Sequence, residues 1–158
     1  MKATVNWKEN LTFIGMPDSG FSVQMDADSS VGVTAGGIRP MEMIALGLAG
    51  CTAMDVISVL LKKRQQVTRF EVNINAPRSP EHPKVFTSAS ITFIVAGLGV
   101  DEAAVLRSIE LAATKYCPAY AMLERAFPMD LRYEIYEDEG DGNKRLTYQG
   151  IWQEVPLE

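Results

Sequence analysis

Pro40-Met41-Glu42-Met43-Ile44-Ala45-Leu46-Gly47-Leu48-Ala49-Gly50-Cys51-Thr52-Ala53 is the stretch on which the fold turns. Pro40 suits the first turn of a helix, where its missing N–H would have had no partner anyway. Glu42 lies against the positive end of that helix, and Lys62-Lys63-Arg64 complements the negative end. The pattern predicts one helix from about Met41 to Arg64. From Met41 to Leu61 it is apolar on nearly every side, and a helix without a polar face has to be buried all round. Gly47, Ala49, Gly50 and Ala53 weaken it as a helix, which suggests close approach by a neighbouring backbone. One small sheet cannot cover such a helix, so a second subunit is expected and the chain reads as a homodimer.

Outward from this helix the chain comes in blocks. Ala3-Val5-Trp7, Leu11-Phe13 and Phe21-Val23-Met25 alternate as strands, with turns at Asn10 and Pro17-Asp18-Ser19-Gly20. Asp26 to Gly37 reads as a loop. Past the helix, Phe70 to Ile74 and Val85 to Val95 alternate again, with Val85, Thr87, Ala89, Ile91, Phe93 and Val95 on one face. Asp101 opens a second helix reaching Tyr116, and Pro118 starts a short third one to about Ala126. Leu131 to Tyr136 is a last strand. Glu137 to Asn143 is an acidic turn or flexible segment, and the tail with Tyr148, Ile151 and Trp152 should dock on the rest. Strands and helices in blocks predict an α+β fold with mostly antiparallel pairing. At 158 residues the chain reads as one domain, residues 1–158, with a core over about 3–136 and a C-terminal extension over 137–158.

Composition excludes several classes. The net charge of -5 comes with scattered basic residues, not the clustered basic face of a nucleic-acid binder. Met1 to Asn10 lacks the apolar run of a signal peptide. Met43 to Met54, closed by Glu42 and Asp55, is too short an uncharged run to span a bilayer. The chain reads as soluble and cytoplasmic, with no membrane partner. Two cysteines are too few for a secreted disulfide scaffold, and a single histidine, His82, argues against a structural zinc site. No nucleophile elbow or phosphate-binding loop is present, and Gly36-Gly37 is too little for one.

The two cysteines carry what chemistry there is. Cys117 directly precedes Pro118, near the N-cap of the third helix, where free N–H groups and the helix dipole favour a thiolate and Lys115 is close in sequence. It reads equally as a buried cysteine filling a core gap. Cys51 sits mid-helix in apolar surroundings, which raise a thiol pKa. Asp55, at i+4 on the same face, would oppose a thiolate unless a cation offset it. Local evidence therefore makes Cys51 a core residue. The two stand 66 residues apart, so this is no Cys-x-x-Cys motif, and sequence alone does not say whether they meet.

The stretch from Pro40 to Ala53 resembles the first cysteine helix of the OsmC/Ohr family of osmotically inducible and organic-hydroperoxide-resistance proteins. Lys115-Tyr116-Cys117-Pro118 resembles its second cysteine motif, and His82-Pro83-Lys84-Val85-Phe86 with the strand ending at Gly97 matches its middle. The resemblance spans about residues 3 to 136. It implies an OsmC-like α+β fold, a mostly antiparallel sheet wrapped on long central helices in an intertwined homodimer. It also implies a thiol-dependent peroxidase without a metal or organic cofactor. Cys51 would be peroxidatic and Cys117 resolving, with a disulfide between them and a small dithiol or thiol protein as reductant. Two departures mark the chain as a divergent branch. The family's glutamate after the motif proline is here Met41, with Glu42 the nearest carboxylate. No arginine precedes Arg39, which leaves Arg39 as the candidate thiolate stabiliser. These departures favour two alternatives: a dimeric binding protein for a small apolar ligand, or a redox sensor.

Overall fold

A computed structural model describes residues 1–27 and 36–153. Most of the loop expected over Asp26–Gly37 and the last residues of the tail lie outside them. The chain divides into two compact units, Met1–Leu46 and Gly47–Glu158.

The first unit is an antiparallel meander of β1 (Ala3–Glu9), β2 (Thr12–Pro17) and β3 (Val23–Met25). The alternation of the sequence sets these strands. Asn10, with φ of 47°, makes the β1–β2 turn in a backbone region that asparagine tolerates. Strand β3 is shorter than its alternation suggested, and Phe21 stands outside it, exposed. Asp26 is buried and holds the end of the meander. Its carboxylate accepts the Thr12 hydroxyl, the Gln24 side-chain amide and the Gly36 N–H. Gly37 packs so tightly that a Cβ there would meet the Gln24 carbonyl at 2.6 Å.

Helix α1 (Pro40–Lys62) begins in the first unit and continues through the second. Its end is a Schellman motif: the N–H of Gln65 reaches the Leu60 carbonyl, that of Arg64 reaches Leu61, and Arg64 takes φ of 56°. The second unit adds a sheet in the order β4 (Gln66–Asn75), β5 (Ala89–Leu98), β6 (Met129–Gly140), β7 (Asn143–Trp152). The β5–β6 pair is parallel and the other two are antiparallel. A parallel pair needs a long crossover. Here it consists of α2 (Glu102–Leu111), a π-helical turn (Ala112–Tyr116) and α3 (Pro118–Leu123). Asp101 caps α2 by accepting the Ala103 N–H at 3.1 Å, as its position predicted.

The core of this unit is built by period. Ile91, Phe93 and Val95 of β5 and Leu131, Tyr133 and Ile135 of β6 point inward at spacing two. Leu48, Thr52, Val56 and Leu60 form the buried stripe of α1 at spacing four. Val105 and Ile109 of α2 close the other side.

Several expectations are corrected. Helix α1 is not buried all round within the chain: Ile44, Leu46, Met54 and Leu61 are exposed. Nothing from elsewhere in the described chain lies within 4 Å of a Cβ at Gly47 or Gly50, so no neighbouring backbone uses those gaps. The helix is also longer than its uncharged run: its 23 residues are long and apolar enough to cross a membrane by length and composition, although one stripe is committed to the core. Val85 to Ser88 is not strand. It pairs back through an Arg78–Phe86 bridge, and β5 starts at Ala89. The second helix changes winding at Ala112, and α3 ends at Leu123 rather than Ala126.

The largest correction is at Glu137–Asn143. Strand β6 runs through the acidic residues to Gly140, the chain turns at Asp141-Gly142, and β7 becomes the edge strand. The acidic side chains find partners across strands, which removes the reason to expect them loose. Thr68 donates to Asp138 at 2.6 Å, Arg145 pairs with Glu139 at 2.8 Å, and the Gly99 N–H reaches Glu137.

Candidate functional site

Cys51 sits mid-helix on α1, half-buried against the core of the second unit. Asp55 follows one turn later on the same face. Cys117 comes from the crossover, and its position has a local cause. Proline disfavours helical backbone in the residue before it. Cys117 accordingly leaves the helix at φ -80°, ψ 104°, with Pro118 opening α3. Its N–H bonds the Ala112 carbonyl five residues back, at 3.0 Å, which closes the π-helical turn. Its sulfur in turn accepts the Tyr120 N–H at 3.3 Å, so Cys117 is the side-chain cap of α3.

These elements bring the two cysteines together. Cys51 Sγ, Cys117 Sγ and a carboxylate oxygen of Asp55 all lie within 4.8 Å of one another. Both cysteines are free thiols. Cys117 is 2% exposed, while Cys51 retains partial access. The electrostatics of Cys117 reverse the expectation drawn from its helix position. Burial pushes its thiol up to about 12, and a hydrogen bond shared with Cys51 adds to the rise; the Tyr120 N–H acts in the opposite sense and is outweighed. Burial also raises the carboxyl of Asp55 above its ordinary range.

Arg39 and Glu42 lie in the first unit and are engaged with each other. The Glu42 carboxylate accepts the Arg39 N–H at 3.0 Å and pairs with Arg39 Nε at 3.0 Å. This is half of a capping box, with the N3 glutamate reaching back to the N-cap. Lys115 does not serve Cys117 in this arrangement: its ammonium stands 5.4 Å from the centre of the Tyr116 ring. His82 is exposed in its turn.

Sequence reasoning treated Asp55 only as an obstacle to a Cys51 thiolate. The spacing of four was the available signal. What it lacked was Cys117, delivered to the same point by a crossover between parallel strands. Among the described residues, these two thiols and one carboxylate are the cysteine, histidine and acidic side chains close enough to share a cation.

A family model described as OsmC-like protein matches residues 33–132. Protein YhfA of Escherichia coli K12 is 41% identical over 135 residues, covering 85% of this chain and 98% of its own. Among solved structures, the OsmC-like protein from Mycoplasma pneumoniae superposes with a TM-score of 0.72 at 16% identity, covering 85% of this chain and 95% of that one. A Legionella pneumophila structure described as an organic hydroperoxide resistance protein gives 0.61 at 12% identity, with coverage of 85% and 94%. At these identities the two structures speak for the fold alone.

Proposed function

This chain belongs to the OsmC-like protein family, and from that premise we propose that it is a thiol-dependent peroxidase acting on organic hydroperoxides. The observation that carries this reading is the meeting of Cys51 and Cys117 across 66 residues of sequence. Differential burial assigns the roles. Cys51 keeps access and attacks; Cys117, almost fully covered, waits for it.

In the first step the Cys51 thiolate takes the distal oxygen of the hydroperoxide. The O–O bond breaks, the alcohol leaves with a proton, and Cys51 becomes a sulfenic acid. In the second step the Cys117 sulfur attacks the Cys51 sulfur. An S–S bond forms, and the sulfenic oxygen leaves as water with the Cys117 proton. A small dithiol or a thiol protein then restores both thiols. The aliphatic core around Cys51 suits the organic part of the substrate. No step is assigned to Arg39 or Glu42, whose bonds to each other close the start of α1.

The exposed apolar residues of α1 and the open space over Gly47 and Gly50 support a homodimer, in which a second copy covers what this chain leaves bare. A cytoplasmic setting fits two thiols that have to return to the reduced state between turnovers.

The test is consumption of an organic hydroperoxide with a dithiol as reductant. Wild type should turn over, Cys51→Ser should not, and Cys117→Ser should stop at a sulfenic acid that a carbon nucleophile traps. Wild-type turnover no faster than that of Cys51→Ser would overturn the reading.

A further inference from the structure

We propose that Cys51, Asp55 and Cys117 form a binding site for a thiophilic divalent cation, with zinc as the natural probe, occupied only while the two cysteines are reduced. The three donor atoms lie within 4.8 Å of one another. A tetrahedral zinc with sulfur at about 2.3 Å and oxygen at about 2.0–2.2 Å holds its donors roughly 3.5–3.8 Å apart. The donors here therefore need only side-chain adjustment to close on one ion.

Donor chemistry points the same way. Two thiolates and one carboxylate form a set that zinc accepts and that magnesium or calcium, which seek oxygen, do not favour. The backbone supplies rigidity. Cys51 and Asp55 stand at i and i+4 on α1, the spacing by which one helix face offers two ligands to one metal. Cys117 is held from the opposite element by the π-helical turn. The Tyr120 N–H on its sulfur is the kind of outer hydrogen bond that orients a metal-bound thiolate.

The charge balance is a second, independent argument. Among the described residues the Asp55 carboxylate has no hydrogen-bond or ion-pair partner, and no cationic side chain acts on it or on Cys117. Three groups that are anionic when ionised thus converge at a half-buried point with nothing positive to balance them. A divalent cation supplies that balance. Three protein ligands leave a fourth position for water.

Metal and oxidant then exclude each other. When a hydroperoxide oxidises the pair, the two sulfurs give up two electrons, the S–S bond forms, the hydroperoxide is reduced to alcohol and water, and the dication leaves for lack of donors. While the metal is bound, Cys51 is masked.

The test uses the full-length, reduced, metal-free chain in competition with a chromogenic zinc chelator, and cobalt(II) as a spectroscopic probe. It needs no peroxidase turnover, so it stands or falls separately from the reading above. One zinc per chain is expected, with a thiolate-to-cobalt charge-transfer band. Asp55→Asn should weaken zinc at least about tenfold. Cys51→Ser and Cys117→Ser should each lose the charge-transfer band of the pair. The wild-type disulfide form needs no substitution and should not bind. Failure to compete with the chelator overturns the proposal. So does zinc uptake that survives in the disulfide form or is unchanged in Asp55→Asn, either of which means an adventitious ion only.

Discussion

The two units of this chain use the same alternating code and reach opposite ends. In the second unit, Ile91, Phe93 and Val95 point from β5 into a core closed by β6, α1 and α2, and all three are fully buried. In the first unit, Val5 and Trp7 alternate just as cleanly on β1, and the ladder to β2 forms in register. Yet Val5 stays 58% exposed and Trp7 66%. Alternation decides that a segment is a strand and which residues share a face. It does not decide what covers that face. The second unit carries its cover in its own chain; the first unit's apolar residues await cover from outside it.

The sharpest way to break this contrast is to truncate one aromatic in each unit. Phe93→Ala should cost about 3–5 kcal/mol, because it opens a cavity in a closed core. Trp7→Ala should change the stability of the dilute chain by less than about 1 kcal/mol, since little of it is buried on folding. Urea unfolding of the two variants, followed by circular dichroism, checks both. Equal losses would mean that Trp7 is covered in solution even in the isolated chain.

A second comparison lies on α1. Val56 faces the core and Met54, 68% exposed, faces away. A charge at Val56 has no partner there, so Val56→Asp should leave no folded protein at ambient temperature. Met54→Asp should fold normally but dissociate the proposed homodimer, read as halved mass in sedimentation. A Met54→Asp protein that stays dimeric would place the interface elsewhere.

How far these regions could be read in advance differs for physical reasons. The start of α1 at Pro40, the Asp101 cap and the break at Cys117-Pro118 are local, set by dihedral preferences and unpaired N–H groups, and they were legible. Strand β7 was not, because the acidic run Glu137-Asp138-Glu139 looks solvated until Thr68, Gly99 and Arg145 are placed beside it. The helix position of Cys117 was read well and its reactivity badly. The N-terminal N–H groups are a local property, whereas burial, the larger influence, is a tertiary one. The meeting of Cys51 with Cys117 was implied only by the family resemblance, since the parallel β5–β6 crossover that delivers it leaves no mark in either cysteine's neighbourhood.

Acid should separate the units as well. Asp26 holds the first unit together as an ionised acceptor, and its pKa lies below the ordinary carboxylate value, first through the Thr12 hydroxyl. A depressed folded-state pKa contributes stability above the unfolded value and loses it as pH falls through the folded one. The first unit should therefore loosen below about pH 4. One tryptophan lies in each unit, so Trp152→Phe leaves Trp7 reporting on the first and Trp7→Phe leaves Trp152 reporting on the second. Trp7 fluorescence should change at a higher pH than Trp152 fluorescence. Coincident transitions would show that Asp26 does not act on the first unit alone.

The smallest effect tests the backbone rather than the core. Each unit puts a non-glycine residue into left-handed backbone, Asn10 at φ 47° in the β1–β2 turn and Arg64 at φ 56° after α1. Asparagine tolerates that region because its short polar side chain can bond locally, whereas arginine gains no such return. Glycine relieves the strain but adds freedom to the unfolded chain, worth about 0.4–1 kcal/mol. For Asn10→Gly the two should nearly cancel, within about 0.5 kcal/mol of wild type. For Arg64→Gly strain relief should win, by about 0.5–1 kcal/mol, with the Schellman bonds of Gln65 and Arg64 intact. Thermal melts of both variants at one protein concentration decide it. An Arg64→Gly protein less stable than wild type would mean that the guanidinium or its aliphatic stem holds the end of α1 through a contact stronger than the strain it bears.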